Sequence, residues 1–349
     1  MPKRITIATI LLVVILSLLS GFQTASAQQP SQGQPQSAQK TDDSQEPTEK
    51  LKVNVNVVNL LFNVKDKHGA LIPNLTKDDF QIAEDGKPQT IKYFTAESNL
   101  PLTLGIMIDT SGSQTNVLEM EKEVGGAFLK QVLTDKDEAY VISFDISVDL
   151  LQDFTRDVRR LQSALNKTKI NTDFTSGGIP GMGGGPVPVQ NPKGTLLFDA
   201  VYLSAHDMLS KEVGRKAMIL LTDGQDEGSR LKLNDAIEAA QKADAIVYVL
   251  LCADRGSYFG TGTMYNGEFD MKKLTETTGG RVINVGNKFD KMREAFDQIA
   301  AELRSQYSVG YTPTNLKQDG TYRKLEIKNK QNYKIQARAG YYASKADQD

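Results

Sequence analysis

From Leu51 the chain reads LKVNVNVVNLLFNVKD, in which Val53, Val55 and Val57 are separated by polar residues. Alternation with a period of two predicts a half-buried strand. DKHGA and EDGKPQ are turn signals, and the second leads into the strand-like TIKYFTA. Residues 51–98 therefore read as an N-terminal β segment. Near Pro101 the rhythm changes. LTLGIMID is a short, continuous apolar run, the mark of a strand covered on both faces. In NVLEMEKEVGGAFLKQVL, Val117, Met120, Val124, Phe128 and Val132 recur at spacings of three and four, which predicts a helix with one buried stripe.

The alternation of strand and helix continues. EAYVISFD, RKAMILLTD and AIVYVLLCAD read as strands, whereas TRDVRRLQSALNKT, TLLFDAVYLSAHDMLS and LNDAIEAAQKAD read as helices. FDKMREAFDQIAAELRSQ closes the run as a helix with Met292, Phe296, Ile299 and Leu303 on one side. Strands and helices at this spacing predict an α/β fold with a doubly wound, mainly parallel sheet over residues 99–305. QYSVGYTP, YRKLEIK and YKIQARAGYYA then read as three strands in a C-terminal β segment, 306–345. Packing of 306–345 with 51–98 would make a flanking β-sandwich-like domain, with the α/β domain inserted between its halves.

Three stretches stand outside this rhythm. Residues 1–27 combine Lys3 and Arg4, the apolar run Ile5 to Leu19, and Ala25-Ser26-Ala27, the pattern of a cleaved signal peptide. The expectation is an exported protein, periplasmic, cell-surface or secreted, with no transmembrane segment after cleavage. Residues 28–50 carry no large apolar side chain and read as a disordered linker. Residues 171–193 are dominated by glycine and proline and read as a loop that interrupts the α/β pattern.

Composition narrows the chemistry. With 41 Lys and Arg against 43 Asp and Glu, and no basic block, nucleic acid is a poor partner. Cys252 is the single cysteine and lies in an apolar run, so it reads as a small core residue. His68 and His206 are the two histidines, and neither is placed beside a nucleophile. Zinc sites need more imidazole or thiolate than this chain has. Oxygen ligands are what remain.

In a doubly wound sheet, ligands bind at the carboxyl ends of strands near the switch in strand order. Asp109, Ser111 and Ser113 directly follow LGIMI, Asp223 directly follows another apolar run, and Thr195 stands at a turn before a helix. Two carboxylates with neutral hydroxyls match a hard divalent cation such as Mg²⁺, which also keeps several waters. Blander readings stand beside this one. Asp109 or Ser113 could cap the following helix, Thr195 could cap its own, and TDGQDEG could be an acidic loop with no metal; the extra acids Asp226 and Glu227 read as solvated loop charges.

DTSGS with Thr195 and Asp223 resembles the metal-ion-dependent adhesion site (MIDAS) of von Willebrand factor type A (VWA) domains, over Leu102 to Ser305. That resemblance implies that Ser111, Ser113 and Thr195 bind the metal directly, while Asp109 and Asp223 hold it largely through waters. The mature chain is also similar to exported bacterial VWA-domain proteins typical of acidobacteria, through NLTKDDFQIAEDGKPQTIKYF, LPLTLGIMIDTSGS, GRKAMILLTDGQDEGSR and ELRSQYSVGYTP.

The resulting expectation is a non-enzymatic, adhesion-type module. Its Mg²⁺, or Mn²⁺ or Ca²⁺ in its place, would accept an Asp or Glu carboxylate from a protein ligand. The alternative is an envelope structural or assembly component with a stabilising metal. A metal-assisted hydrolase is a weaker reading, for no general base is evident. An aspartic protease needs a second Asp-Thr/Ser-Gly turn, and TDGQD reverses that order.

Overall fold

The apolar run Leu102–Asp109 is buried at all its positions, which requires cover on both faces of the strand. It forms β5 of a six-stranded sheet. In spatial order that sheet runs β10 (Val282–Asn284), β9 (Ala245–Leu251), β8 (Arg215–Thr222), β5, β6 (Glu138–Phe144) and β7 (Val148–Thr155). Every neighbouring pair is parallel except β6 with β7. The chain leaves β5 for β6 and β7 on one side, then returns to β8 on the other. The order therefore reverses between β5 and β8.

This computed structural model describes residues 57–96, 100–171, 194–252 and 267–345, which fall within one compact unit, Asn54–Asp349. The expected signal segment 1–27, the expected linker 28–50 and all but the first residue of the 171–193 loop lie outside the described residues. Among those described, no helix is long and apolar enough to cross a membrane.

Two helical layers cover the sheet. Leu104, Ile106 and Ile108 of β5 face α1 (Leu118–Val132), α2 (Val158–Lys167) and α6 (Phe289–Arg304). Phe128 of α1 and Phe296 of α6 meet there with ring centroids 4.6 Å apart. Met107 faces the opposite layer, built from α3 (Leu197–Leu203), α4 (Leu233–Lys242) and α5 (Gly267–Thr278). The doubly wound α/β architecture is thus as the apolar periodicity predicts.

Some details differ from the sequence expectation. Strand β7 goes unforeseen because it lies at the sheet edge with no fully buried position. The short β10 and α5 also go unforeseen. The helix expected through FDAVYLSAHDMLS is regular only over α3, then widens to a π turn at Ser204–Met208 and tightens to a 3₁₀ turn at Leu209–Lys211.

Two antiparallel sheets flank this unit. One has the order β13 (Lys334–Ala337), β1 (Val58–Lys65), β11 (Tyr307–Tyr311), β4 (Ile91–Thr95). The other has the order β14 (Gly340–Tyr342), β12 (Tyr322–Asn329), β2 (Phe80–Glu84), β3 (Lys87–Gln89). Phe62, Phe80 and Tyr307 pack between them, with Phe62 5.1 Å from Phe80 and 5.5 Å from Tyr307 between centroids. In β1 the buried apolar positions are Val58, Leu60, Phe62 and Val64, while Val57 is exposed. The expected burial of the Val53-Val55-Val57 series thus falls on the wrong parity at Val57, because the Val57-Val58 doublet shifts the alternation by one residue. YKIQARAGYYA divides into β13 and β14, which belong to different sheets. Between them, Arg338 donates to the Asn59 carbonyl at 2.7 Å and pairs with Asp244.

Glu302, at the end of α6, fastens these sheets to the α/β unit. Its buried carboxylate accepts from Lys65 of β1 at 2.8 Å, from Arg281 at 2.8 Å and from Gln336 of β13 at 3.1 Å. Burial pushes this carboxyl upward, yet Arg281 and Lys65 outweigh it and hold it below the ordinary value. Glu302, Arg281, Asp244 and Arg215 all lie toward the amino ends of the central strands. The sandwich therefore sits at one pole of the sheet, with the strand carboxyl ends at the other.

Candidate metal centre

Asp109 ends β5 and is fully buried. Its Oδ1 accepts from the Ser111 amide at 3.0 Å, and its Oδ2 accepts from the Thr222 hydroxyl, at the end of β8, at 2.6 Å. The first bond curls the chain back, so that Ser111 opens a short 3₁₀ turn at Gly112–Gln114. The Ser111 and Ser113 hydroxyls lie 3.0 Å apart, with Ser113 exposed. Neither serine caps a helix by its side chain: α1 begins after Val117, which has no side-chain cap. The capping reading fails here, and the hydroxyl pair is left facing outward.

Asp223 directly follows Thr222 and is 4% exposed. Its Oδ1 accepts from the Gln225 amide at 3.1 Å. Gly224 makes that turn possible: its φ is +82°, and a Cβ there would stand 3.1 Å from the Gly267 carbonyl oxygen. Thr195 is buried and precedes Leu196, the cap residue of α3, so it is not itself the cap. The Thr195 carbonyl accepts from the Glu227 amide at 3.2 Å, which ties this segment to the loop after Asp223. Asp226 is no free loop charge: it accepts from the Phe198 amide at 3.2 Å at the start of α3. Glu227 is exposed.

The electrostatics fit a cation. Burial pushes the Asp109 carboxyl up to about 7, and the neighbouring Asp223 carboxylate adds to the shift against the Ser111 and Thr222 bonds. Two buried carboxylates that repel one another, beneath an outward hydroxyl pair, form an oxygen donor set suited to a hard divalent ion. Ser111, Ser113, Thr195, Asp109 and Asp223 are the residues that would hold it. Among the described residues no group of three or more His, Cys, Asp or Glu side chains could hold a metal. A site here therefore depends on hydroxyls for its remaining donors.

Three further polar residues surround this place without a motif to announce them. Thr222, at the end of β8, holds Asp109 through its hydroxyl. Asp145, directly after β6, accepts from the Thr110 hydroxyl at 2.9 Å; its position at a strand end is the signal that could have found it. Glu121 lies on the buried face of α1, where the Cys252 thiol is the polar group beside its carboxyl among the described residues. Burial pushes it up to about 8, opposed by the adjacent Cys252 thiol and reinforced by the charges of Asp109 and Asp223. Cys252 is buried, as a small core residue should be, but its thiol faces this acid rather than a purely apolar wall.

No family model matches the chain, and no curated protein matches it. Among solved structures it is similar to the conserved hypothetical protein BatB from Bacteroides thetaiotaomicron, at 18% identity over 58% of this chain and 100% of that one, with a TM-score of 0.41. It is similar to the vWF domain of the type V pili tip protein Mfa5 from Porphyromonas gingivalis, at 14% identity, 58% and 95% coverage and a TM-score of 0.41. A von Willebrand factor type A structure from Catenulispora acidiphila matches at 12% identity, 84% and 74% coverage and a TM-score of 0.44. The α/β architecture rests on this chain's own strand order and packing.

Proposed function

We propose that the chain is a binding module that captures an acidic side chain of a partner protein through a divalent cation. Ser111, Ser113 and Thr195 supply hydroxyls to that ion, and Asp109 and Asp223 supply the negative charge. Mg²⁺ suits the donor set, with Mn²⁺ and Ca²⁺ as the other ions of matching chemistry. When bound, the ion offers an open position to an external carboxylate. The single observation that carries this reading is the outward Ser111–Ser113 hydroxyl pair above two buried, mutually repelling carboxylates. The module would act after export, in the periplasm, at the cell surface or as a secreted protein.

The test is a pull-down of envelope proteins with the metal-loaded chain, repeated in chelator. Partners retained with Mg²⁺ and released by chelator support the proposal. Equal retention in both conditions overturns it.

A structural role for the metal is the second reading, favoured by the burial of Asp109 and its bond to Thr222. That burial makes Asp109→Ala a poor discriminator, since it would disturb the strand ends whatever the function. The exposed Ser113 separates the two readings better.

A further inference from the structure

The three segments of the proposed metal centre are far apart in sequence, so their spacing depends on bonds between them. Asp109 joins the first segment to the second through Thr222. The Thr195 carbonyl joins the third to the second through the Glu227 amide. Between the first and the third, the link runs through Asp145.

Asp145 is 8% exposed and follows the end of β6, where Phe144 pairs with Asp109. Its Oδ2 accepts from the Thr110 hydroxyl at 2.9 Å, and its Oδ1 accepts from the Ser147 amide at 3.1 Å. Its carbonyl accepts from the Leu196 amide at 2.7 Å, directly after Thr195. Gly194 passes so close that a Cβ there would lie 3.3 Å from Cα of Ile146. The turn at residues 145–147 is thus gripped by the residue before Ser111 and in turn carries the backbone around Thr195.

We propose that Asp145 is a positioning residue of the metal centre: by accepting from Thr110, its carboxylate sets the place of Thr195 relative to Ser111 and Ser113. This rests on the metal-binding reading and adds the residue that holds the donor set in register. Asp145 acts through Thr110 and the main chain, not by touching the ion. A carboxylate suits the task because two separate donors, a hydroxyl and an amide, converge on its two oxygens.

The test uses the full chain stripped of metal and titrated calorimetrically with Mn²⁺, with the metal-free melting temperature measured alongside. Asp145→Ala and Thr110→Val are each expected to weaken Mn²⁺ binding roughly 10–100-fold. The double variant should lose no more than the worse single one, because both remove the same bond. Thr110→Ser, which keeps the hydroxyl, should restore affinity. Unchanged Mn²⁺ affinity in Thr110→Val, or losses that multiply in the double variant, overturns the proposal. A fall in melting temperature alone marks Asp145 as merely structural and overturns it too. Should Asp145→Ala fail to fold, the near-isosteric Thr110→Val and its Ser counterpart decide the matter. If the unaltered chain binds no Mn²⁺, the metal reading itself fails; if it binds and the variants match it, only the positioning role does.

Discussion

Thr222 donates its hydroxyl to Asp109 Oδ2 at 2.6 Å, joining the ends of two adjacent parallel strands at the place where the sheet reverses its order. The same Thr222 oxygen accepts from the Gly224 amide at 3.0 Å, which starts the turn that carries Asp223. One hydroxyl therefore sets the relation between the two acids of the site.

Stability of the metal-free chain should fall as pH rises. Asp109 and Glu121 have folded-state values of about 7 and about 8, raised from 3.8 and 4.5. Between the ordinary carboxylate range and about pH 8, the folded chain holds more protons than the unfolded one. The stabilisation is full below the unfolded values and lost as pH passes the folded ones, on the order of a few kcal/mol. Thermal melts in chelator at pH 5 and pH 8 check this, and a higher melting temperature at pH 8 would contradict it. Added Mg²⁺ should stabilise more at pH 8, where the acids are ionised.

Glu121→Leu should raise metal-free stability at pH 8 by about 1–3 kcal/mol, since it removes a fully buried acid whose charge no cation among the described residues offsets. At pH 5, where the acid is neutral, the gain should be smaller. Denaturant titrations at the two pH values measure the difference, and an equal change at both would show that charge is not its cause.

Ser113→Ala should abolish divalent-dependent partner capture while shifting metal-free stability by no more than about 0.5 kcal/mol, because the residue is exposed. Capture and metal-dependent stability that both survive the substitution would count against Ser113 as a metal donor. A large loss of metal-dependent stability with capture intact would favour the structural reading.

Glu302→Ala should destabilise the chain by about 3–5 kcal/mol, leaving Lys65 and Arg281 buried or half-buried without their shared carboxylate. Mn²⁺ affinity of the folded fraction should not change, as Glu302 lies at the opposite pole of the sheet. Equilibrium unfolding and calorimetry on the same sample test both halves of the statement.

The strands most legible from sequence are β5, β8 and β9, because cover on both faces leaves them as continuous apolar runs. Their ends in turn make the positions of Asp109 and Asp223 legible. Strand β7 is hidden by its exposure, and β10 by its length of three residues. The division of β13 from β14 is hidden because a crossing between sheets leaves no periodic mark. Asp145 shares the strand-end position of Asp109 but belongs to no motif. Glu121 stands four residues after Val117 and three before Val124, so the helical spacing already places it on the buried stripe of α1, and it is its charge that hides it.

The flanking strands have a mechanical consequence. The chain comes into the α/β unit after β4 and leaves it for β11, and these two strands pair side by side in one sheet. Both connections thus reach the α/β unit from the sandwich pole, while the proposed capture point lies at the other. A pull between a captured partner and the sandwich would run along the parallel strands, loading their cross-strand hydrogen bonds together in shear instead of peeling them one at a time. The load would also be divided between two chain connections, so neither alone would have to carry it.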